Sequence, residues 1–108
     1  MKILIPSCVT ELGSNAFNKC ISLSEINLPP SITSIGEGCF YGCSSLSSVS
    51  NSSSIAIIKE NTFYGCSSLK EFSINSQITS IEKYSFYDCS SLKQICIPSS
   101  VNFIGECA

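Results

Sequence analysis

Eight cysteines and no histidine stand among the 108 residues of this chain. Cysteine is the most reactive side chain present, and what it can do depends on its partners. A thiolate attacks, ligates or bridges only where a neighbouring group activates or completes it. Cys20, Cys43, Cys66 and Cys89 recur at intervals of 23 residues, while Cys8, Cys39, Cys96 and Cys107 fall at other positions. Cys39 and Cys43 are spaced closely enough to share a metal ion. However, no histidine and no second close cysteine pair completes a tetrahedron, so no metal is expected. The absence of histidine also removes the commonest general base. The chain has no nucleophile elbow, phosphate-binding loop or HExxH motif. Glu25 and Glu71 lie two repeats apart and read as solvated charges, partly balanced by Lys70 and Lys93. The expectation is a chain without catalytic residues, cofactor or metal.

The elements that carry these cysteines repeat. Phe17-Asn18-Lys19-Cys20 is followed at the same interval by Phe40-Tyr41-Gly42-Cys43, Phe63-Tyr64-Gly65-Cys66 and Phe86-Tyr87-Asp88-Cys89. Apolar columns keep the same register: Leu23, Leu46, Leu69, Leu92; Ile26, Val49, Phe72, Ile95; Ile32, Ile55, Ile78, Val101; and Ile35, Ile58, Ile81, Ile104. The unit reads CxxLxxIxIPxxIxxIGxxxFxx. One unit cannot bury its apolar side chains alone, but stacking sets like over like. The pattern predicts a right-handed solenoid with one short parallel strand per repeat, near residues 3–5, 26–28, 49–51, 72–74 and 95–97. Short turns or single helical turns return the chain on the other side. Pro6, Pro29 and Pro98 stop the strand by removing a backbone donor, and Gly13, Gly36 and Gly105 allow the next bend.

The length gives about 4.7 copies in one domain, divided 1–19, 20–42, 43–65, 66–88 and 89–108. The first and last are partial and lack polar caps, the pattern of a segment from a longer array. Three positions depart from the unit. Asn51-Ser52 replaces an aliphatic residue and proline, and Lys59 and Glu82 replace glycine. These changes should loosen the middle of the stack without breaking its register. Asn51-Ser52-Ser53 is also a glycosylation sequon, though a core-facing asparagine could not carry a glycan. Isoleucine at position 51 is expected to stabilise the array.

The repeated cysteines are best read as small buried hydrophobes with free thiols, and Cys39 as core packing beside Phe40. Cys96, between Ile95 and Ile97, should face outward and react first. Only 13% of residues are charged, the net charge is −2, and all six cations are lysines. No basic patch can neutralise phosphates, so nucleic acid is not an expected partner. No apolar run approaches the roughly 18–20 residues of a spanning helix, and Met1-Lys2 leads straight into a core strand without a signal-peptide pattern.

This repeat resembles the BspA-like leucine-rich repeats, the cysteine-bearing class of 23-residue units. Stretches such as SITSIGEGCFYGCSSL and IPSSVNFIGECA carry the likeness, which runs along the whole chain. The resemblance implies a parallel-strand solenoid of the kind found in surface proteins of microbes and parasitic protists. Several of those are thought to bind host matrix proteins or other cells. It therefore implies a non-enzymatic protein- or glycan-binding module of a cell-surface adhesin or antigen. An intracellular interaction scaffold, in the cytoplasm, is the alternative. No residue-level site transfers, because the motif residues are structural.

Candidate contacts come instead from the outward columns. One holds Leu4, Asn27, Ser50, Ser73 and Cys96. Beside it run Lys2, Glu25, Ser48, Glu71 and Gln94, then Ser24, Ser47, Lys70 and Lys93. This face reads either as solvated sheet or as a protein-binding surface. Tyr41, Tyr64 and Tyr87 form a second column at the turn, either covering the neighbouring turn or meeting a partner with ring and hydroxyl. The candidate partner-binding residues are thus Tyr41, Tyr64, Tyr87, Glu25, Asn27, Lys70, Glu71, Lys93 and Gln94. Exposed strand edges at both ends would permit end-to-end self-association.

Overall fold

Stacking at a fixed interval requires every strand pair to be parallel and offset by one repeat. The computed structural model, described for residues 1–51 and 53–108, has this arrangement. It contains β1 (Lys2–Leu4), β2 (Glu11–Leu12), β3 (Glu25–Leu28), β4 (Ser34–Ile35), β5 (Ser48–Asn51), β6 (Ile57–Ile58), β7 (Ser80–Ile81) and β8 (Phe103–Ile104). The chain is a parallel β-solenoid, and among the described residues turns rather than helices close each coil. The sheets are ordered β1-β3-β5, β2-β4 and β6-β7-β8. Ile3 pairs with Ile26 and Ile26 with Val49; Leu12 pairs with Ile35 and Ile81 with Ile104. We number the coils one to five from the N-terminus.

The alternation in β3 explains its burial. Ile26 and Leu28 face inward and are buried, while Glu25 and Asn27 face solvent. The columns Leu23–Leu46–Leu69, Ile32–Ile55–Ile78 and Ile35–Ile58–Ile81 are all buried. Each such side chain stabilises the fold by roughly 1.5–3 kcal/mol. The second apolar pair of each repeat forms short strands of its own, so most coils carry a strand on a second wall.

The FxxC segment forms a third wall, and it is the most regular. Two positions in each turn take the left-handed conformation. One column is Asn15, Gly38, Asn61, Tyr84 and Cys107, with φ of 59°, 62°, 62°, 57° and 54°; the other is Lys19, Gly42, Gly65 and Asp88, with φ of 56°, 72°, 75° and 62°. These residues reverse the chain so that alternate N–H groups point at the next coil. Asn15, Phe17 and Lys19 donate to the carbonyls of Glu37, Cys39 and Tyr41 at 2.9, 2.8 and 2.6 Å. Gly38, Phe40 and Gly42 repeat the bonds to Glu60, Thr62 and Tyr64 at 3.0, 2.9 and 2.7 Å. Asn61, Phe63 and Gly65 do the same to Lys83, Ser85 and Tyr87 at 3.3, 2.8 and 2.8 Å.

The phenylalanines stack behind this wall, with centroids 5.5, 5.4 and 5.3 Å apart along Phe17, Phe40, Phe63 and Phe86. The cysteines fit the same geometry. The thiols of Cys43, Cys66 and Cys89 donate to the carbonyls of Phe17, Phe40 and Phe63 at 3.0, 3.2 and 3.2 Å. The repeated cysteine is therefore a small apolar residue with a weak donor aimed at the coil before it. All eight cysteines are free; Cys43, Cys66, Cys89 and Cys39 are buried, and Cys20, the first of its column, is half-buried.

The structure departs from expectation at three places. The strands expected at 72–74 and 95–97 do not form; only a bridge between Ser48 and Glu71 continues the first wall. Phe72 stands in the column of Ile26 and Val49 where the pairing stops, and its ring packs between Phe63 and Phe86, at 5.0 and 5.6 Å.

The second departure is at Lys59. A Cβ on Gly36 would meet the backbone N of Ser14 at 2.3 Å, so this close approach requires glycine. At Lys59 β4 does not pair with β6, yet Glu82 in the same column donates its N–H to the Ile58 carbonyl at 2.9 Å and β6 pairs with β7, so a side chain at this position does not by itself forbid pairing. The 23-residue register survives, because the FxxC wall still joins those coils. The third is Asn51. It is half-buried and bonded at both ends of its amide: Nδ2 donates to the Ser73 carbonyl at 3.1 Å, and Oδ1 accepts from the Ser53 N–H at 3.2 Å and from the Ser53 hydroxyl. Its neighbour Ser52 lies outside the described residues. Asn75, at the position of Pro29, makes the same local turn, accepting from the Gln77 N–H at 3.0 Å. Asparagine thus replaces proline as the turn former in the middle coils.

Candidate interaction surfaces

A residue that follows an inward phenylalanine must point outward, and Tyr41, Tyr64 and Tyr87 do. Their rings stack along the outside of the FxxC wall, with centroids 4.8 and 5.0 Å apart and interplanar angles of 11° and 29°. Tyr41 and Tyr64 are half-buried and Tyr87 is 38% exposed. Partial burial, and then the neighbouring phenols of Tyr41 and Tyr87, push the Tyr64 hydroxyl above its usual range.

Tyr84 joins this stripe and was not foreseen. Its ring lies edge-on to Tyr87 at 5.4 Å and 76°, and tilted towards Tyr64 at 6.1 Å. It sits in the left-handed column where the first three coils have asparagine or glycine. A non-glycine residue there costs about 1 kcal/mol or more. The signal was in the sequence: Tyr84 follows Asn15, Gly38 and Asn61 at the repeat interval, and a tyrosine in such a column asks for a reason. The four tyrosines line one groove with Glu60 and Lys83, which pair at 3.7 Å across adjacent coils.

The strand-face candidates lie elsewhere. Glu25 pairs with Lys2 at 3.8 Å, both more than half exposed, an arrangement worth little in stability. Glu25 and Asn27 share a shallow hollow with Lys2 and Ser48 on coils one to three. Lys70, Glu71, Lys93 and Gln94 share a separate cleft of about 460 Å³ on coils four and five. No tyrosine lines either hollow. The nine candidates therefore fall into three groups rather than one site.

Stacked parallel strands, turns closing each coil and one repeated apolar register define a leucine-rich-repeat solenoid. The family model described as the BspA type leucine rich repeat region, with 6 copies, matches residues 1–108. The chain belongs to that family. A leucine rich cell surface protein from Faecalibacterium prausnitzii A2-165 is similar in structure, with a TM-score of 0.89 and 34% identity over 99% of this chain and 32% of that one. The T. pallidum leucine rich repeat protein gives 0.91 and 29% over 96% of this chain and 51% of its own. A leucine-rich repeat protein from Bacteroides ovatus ATCC 8483 gives 0.74 and 33% over 96% and 33%. The chain thus spans between about a third and a half of these proteins. No curated protein matches it significantly in sequence. Among the described residues no helix is long and apolar enough to cross a membrane.

Proposed function

We propose that this solenoid is the partner-binding module of a cell-surface adhesin or antigen, and that the tyrosine stripe is its main contact. The single observation that carries this reading is the unbroken stack of half-exposed rings from Tyr41 to Tyr87, continued by Tyr84. A surface location rests on kinship with proteins such as the F. prausnitzii cell surface protein. The strand face, with Glu25, Asn27, Lys70, Glu71, Lys93 and Gln94, offers a second, more polar contact.

The stacking geometry favours a protein over a glycan. A sugar binds an aromatic residue by lying on its face. Here neighbouring rings occupy each other's faces at 4.8–5.0 Å. What remains for a partner is ring edges and a row of hydroxyls. Those suit the mixed apolar and hydrogen-bonding contacts of a protein interface. Tyrosine truncation should therefore matter more than serine truncation.

The intracellular scaffold is favoured by one observation. Cys8, Cys96 and Cys107 are free and exposed, a state that reducing compartments maintain. The test is binding of the wild-type chain and the Tyr41→Ala/Tyr64→Ala/Tyr87→Ala variant to matrix proteins and intact cells. Circular dichroism should check that both fold. Binding by the wild type and its loss in the variant is expected. Equal binding by both would remove the stripe from the account, and binding by neither would move the scaffold ahead.

A further inference from the structure

Coils four and five are joined on two walls and open on the third. Tyr84 and Phe86 donate to the Glu106 and Ala108 carbonyls, both at 3.1 Å, and β7 pairs with β8. Yet among the described residues no backbone hydrogen bond links 72–74 to 95–97. On the coil-three side, the segment 71–74 is held by the bridge to Ser48 and by the Asn51 amide on the Ser73 carbonyl. Its other edge faces coil five with backbone donors and acceptors unpaired, as an edge strand's would be.

Side chains at this seam also point to an occupant. Ile74 takes the place of the fully buried Leu28 but is only half-buried. Phe72, Ile74 and Ile95 form an apolar floor, and Lys70 and Lys93 stand at the rim with Glu71 as the only acid. Among the described residues neither lysine makes an ion pair. Two unpaired cations beside one acid make this a locally positive place on a chain of net charge −2.

We propose that the seam binds an extended acidic peptide of a partner protein, added as a strand along the free edge of residues 72–74. Main-chain bonds would hold it, as in other strand additions. Alternate side chains of a strand point to opposite faces. Its apolar residues would therefore meet Ile74 and Ile95, and its acidic residues would meet Lys70 and Lys93. This site is separate from the tyrosine stripe and does not depend on it.

The probe is a fluorescein-labelled peptide of alternating aspartate and valine, titrated against the full chain at low salt and followed by fluorescence anisotropy. Saturable binding is expected, weakened by salt because the contacts are exposed. Lys70→Glu/Lys93→Glu, with an unchanged circular dichroism spectrum, should lose about tenfold or more in affinity, equivalent to about 1.4 kcal/mol. The same peptide with N-methylated backbone amides should not bind. The Tyr41→Ala/Tyr64→Ala/Tyr87→Ala variant should bind as the wild type does. No binding by the wild type, equal binding of the N-methylated peptide, or indifference to the charge reversal would each overturn the proposal.

Discussion

The FxxC wall and the strand wall are built from the same repeat and meet different fates along the chain. On the FxxC wall the hydrogen bonds run between every pair of neighbouring coils, and the phenylalanine stack behind them has no gap. On the strand wall pairing holds through β1, β3 and β5, then shrinks to one bridge and stops. The FxxC wall absorbs difficult residues: Lys19, Tyr84, Asp88 and Cys107 all take left-handed conformations without breaking it. The strand wall loses its pairing from coil four on, where Phe72 stands in the column of Ile26 and Val49. The difference lies in how many independent contacts hold each link. A turn link combines backbone bonds, ring stacking and, in the middle coils, a buried thiol donor. A strand link rests on a few backbone bonds.

If the FxxC wall carries the stability, its core should be the most costly place to cut. Phe63 is stacked on both sides and 1% exposed. Phe63→Ala should cost about 3–5 kcal/mol, enough to unfold much of the chain. Ile95→Ala, in the unpaired segment of coil five, should cost far less because Ile95 is only half-buried. Urea denaturation of the two variants checks the contrast. Equal losses would mean that the walls contribute alike.

The buried thiols make the same wall sensitive to alkali. Burial pushes the Cys39 thiol up to about 12, and the Cys43 and Cys89 thiols up to about 11. An unfolded cysteine titrates near ~8.5. Between these values the unfolded chain gives up protons that the folded chain keeps. Stability should therefore be constant below about pH 8.5 and fall as pH rises through about 11–12. Thermal melts from pH 7 to 11 read this slope, and Cys39→Ala should flatten part of it. At pH 8, alkylation should mark Cys8, Cys96 and Cys107 well before Cys43, Cys66 and Cys89.

Much of this fold was legible in the sequence. The fixed interval and the apolar columns require parallel coils with Phe40, Phe63, Leu46 and Ile58 inside, and the structure has them there. What could not be read was the effect of a residue's neighbours one coil away. A ladder position tells that Phe72 points inward, but not that its ring packs between Phe63 of the coil before and Phe86 of its own coil. Asn51 looked like a buried polar liability, yet the structure gives its amide partners on Ser73 and Ser53. The tyrosine column was visible; Tyr84 stands outside it, in the column of Asn15, Gly38 and Asn61, and only the structure shows its ring turned onto Tyr87.

The Asn51 finding reverses an expectation and can be tested. Asn51→Ile removes the side-chain bond to Ser73 and the local turn, so it should destabilise the chain by about 1–3 kcal/mol. A higher melting temperature for this variant would mean that apolar packing outweighs those bonds. The smallest effect should come from Lys59→Gly. Glu82, in the same column, lets β6 and β7 pair without glycine, so Lys59→Gly should leave β4 and β6 unpaired and change stability by no more than about 1 kcal/mol, the entropic cost of glycine. New amide protection at Lys59 and Ala56 would contradict this.

Amide hydrogen exchange of the wild-type chain, resolved to single residues, tests the central claim most directly. The prediction is slow exchange on the FxxC wall in every coil, at Phe17, Phe40, Phe63 and Phe86. Exchange on the strand wall should be slow at Asn27 and Ser50 and fast at Ser73, Ile74, Cys96 and Ile97. Uniform protection of the strand wall into coil five, or faster exchange at the phenylalanine amides than at the strands, would contradict it.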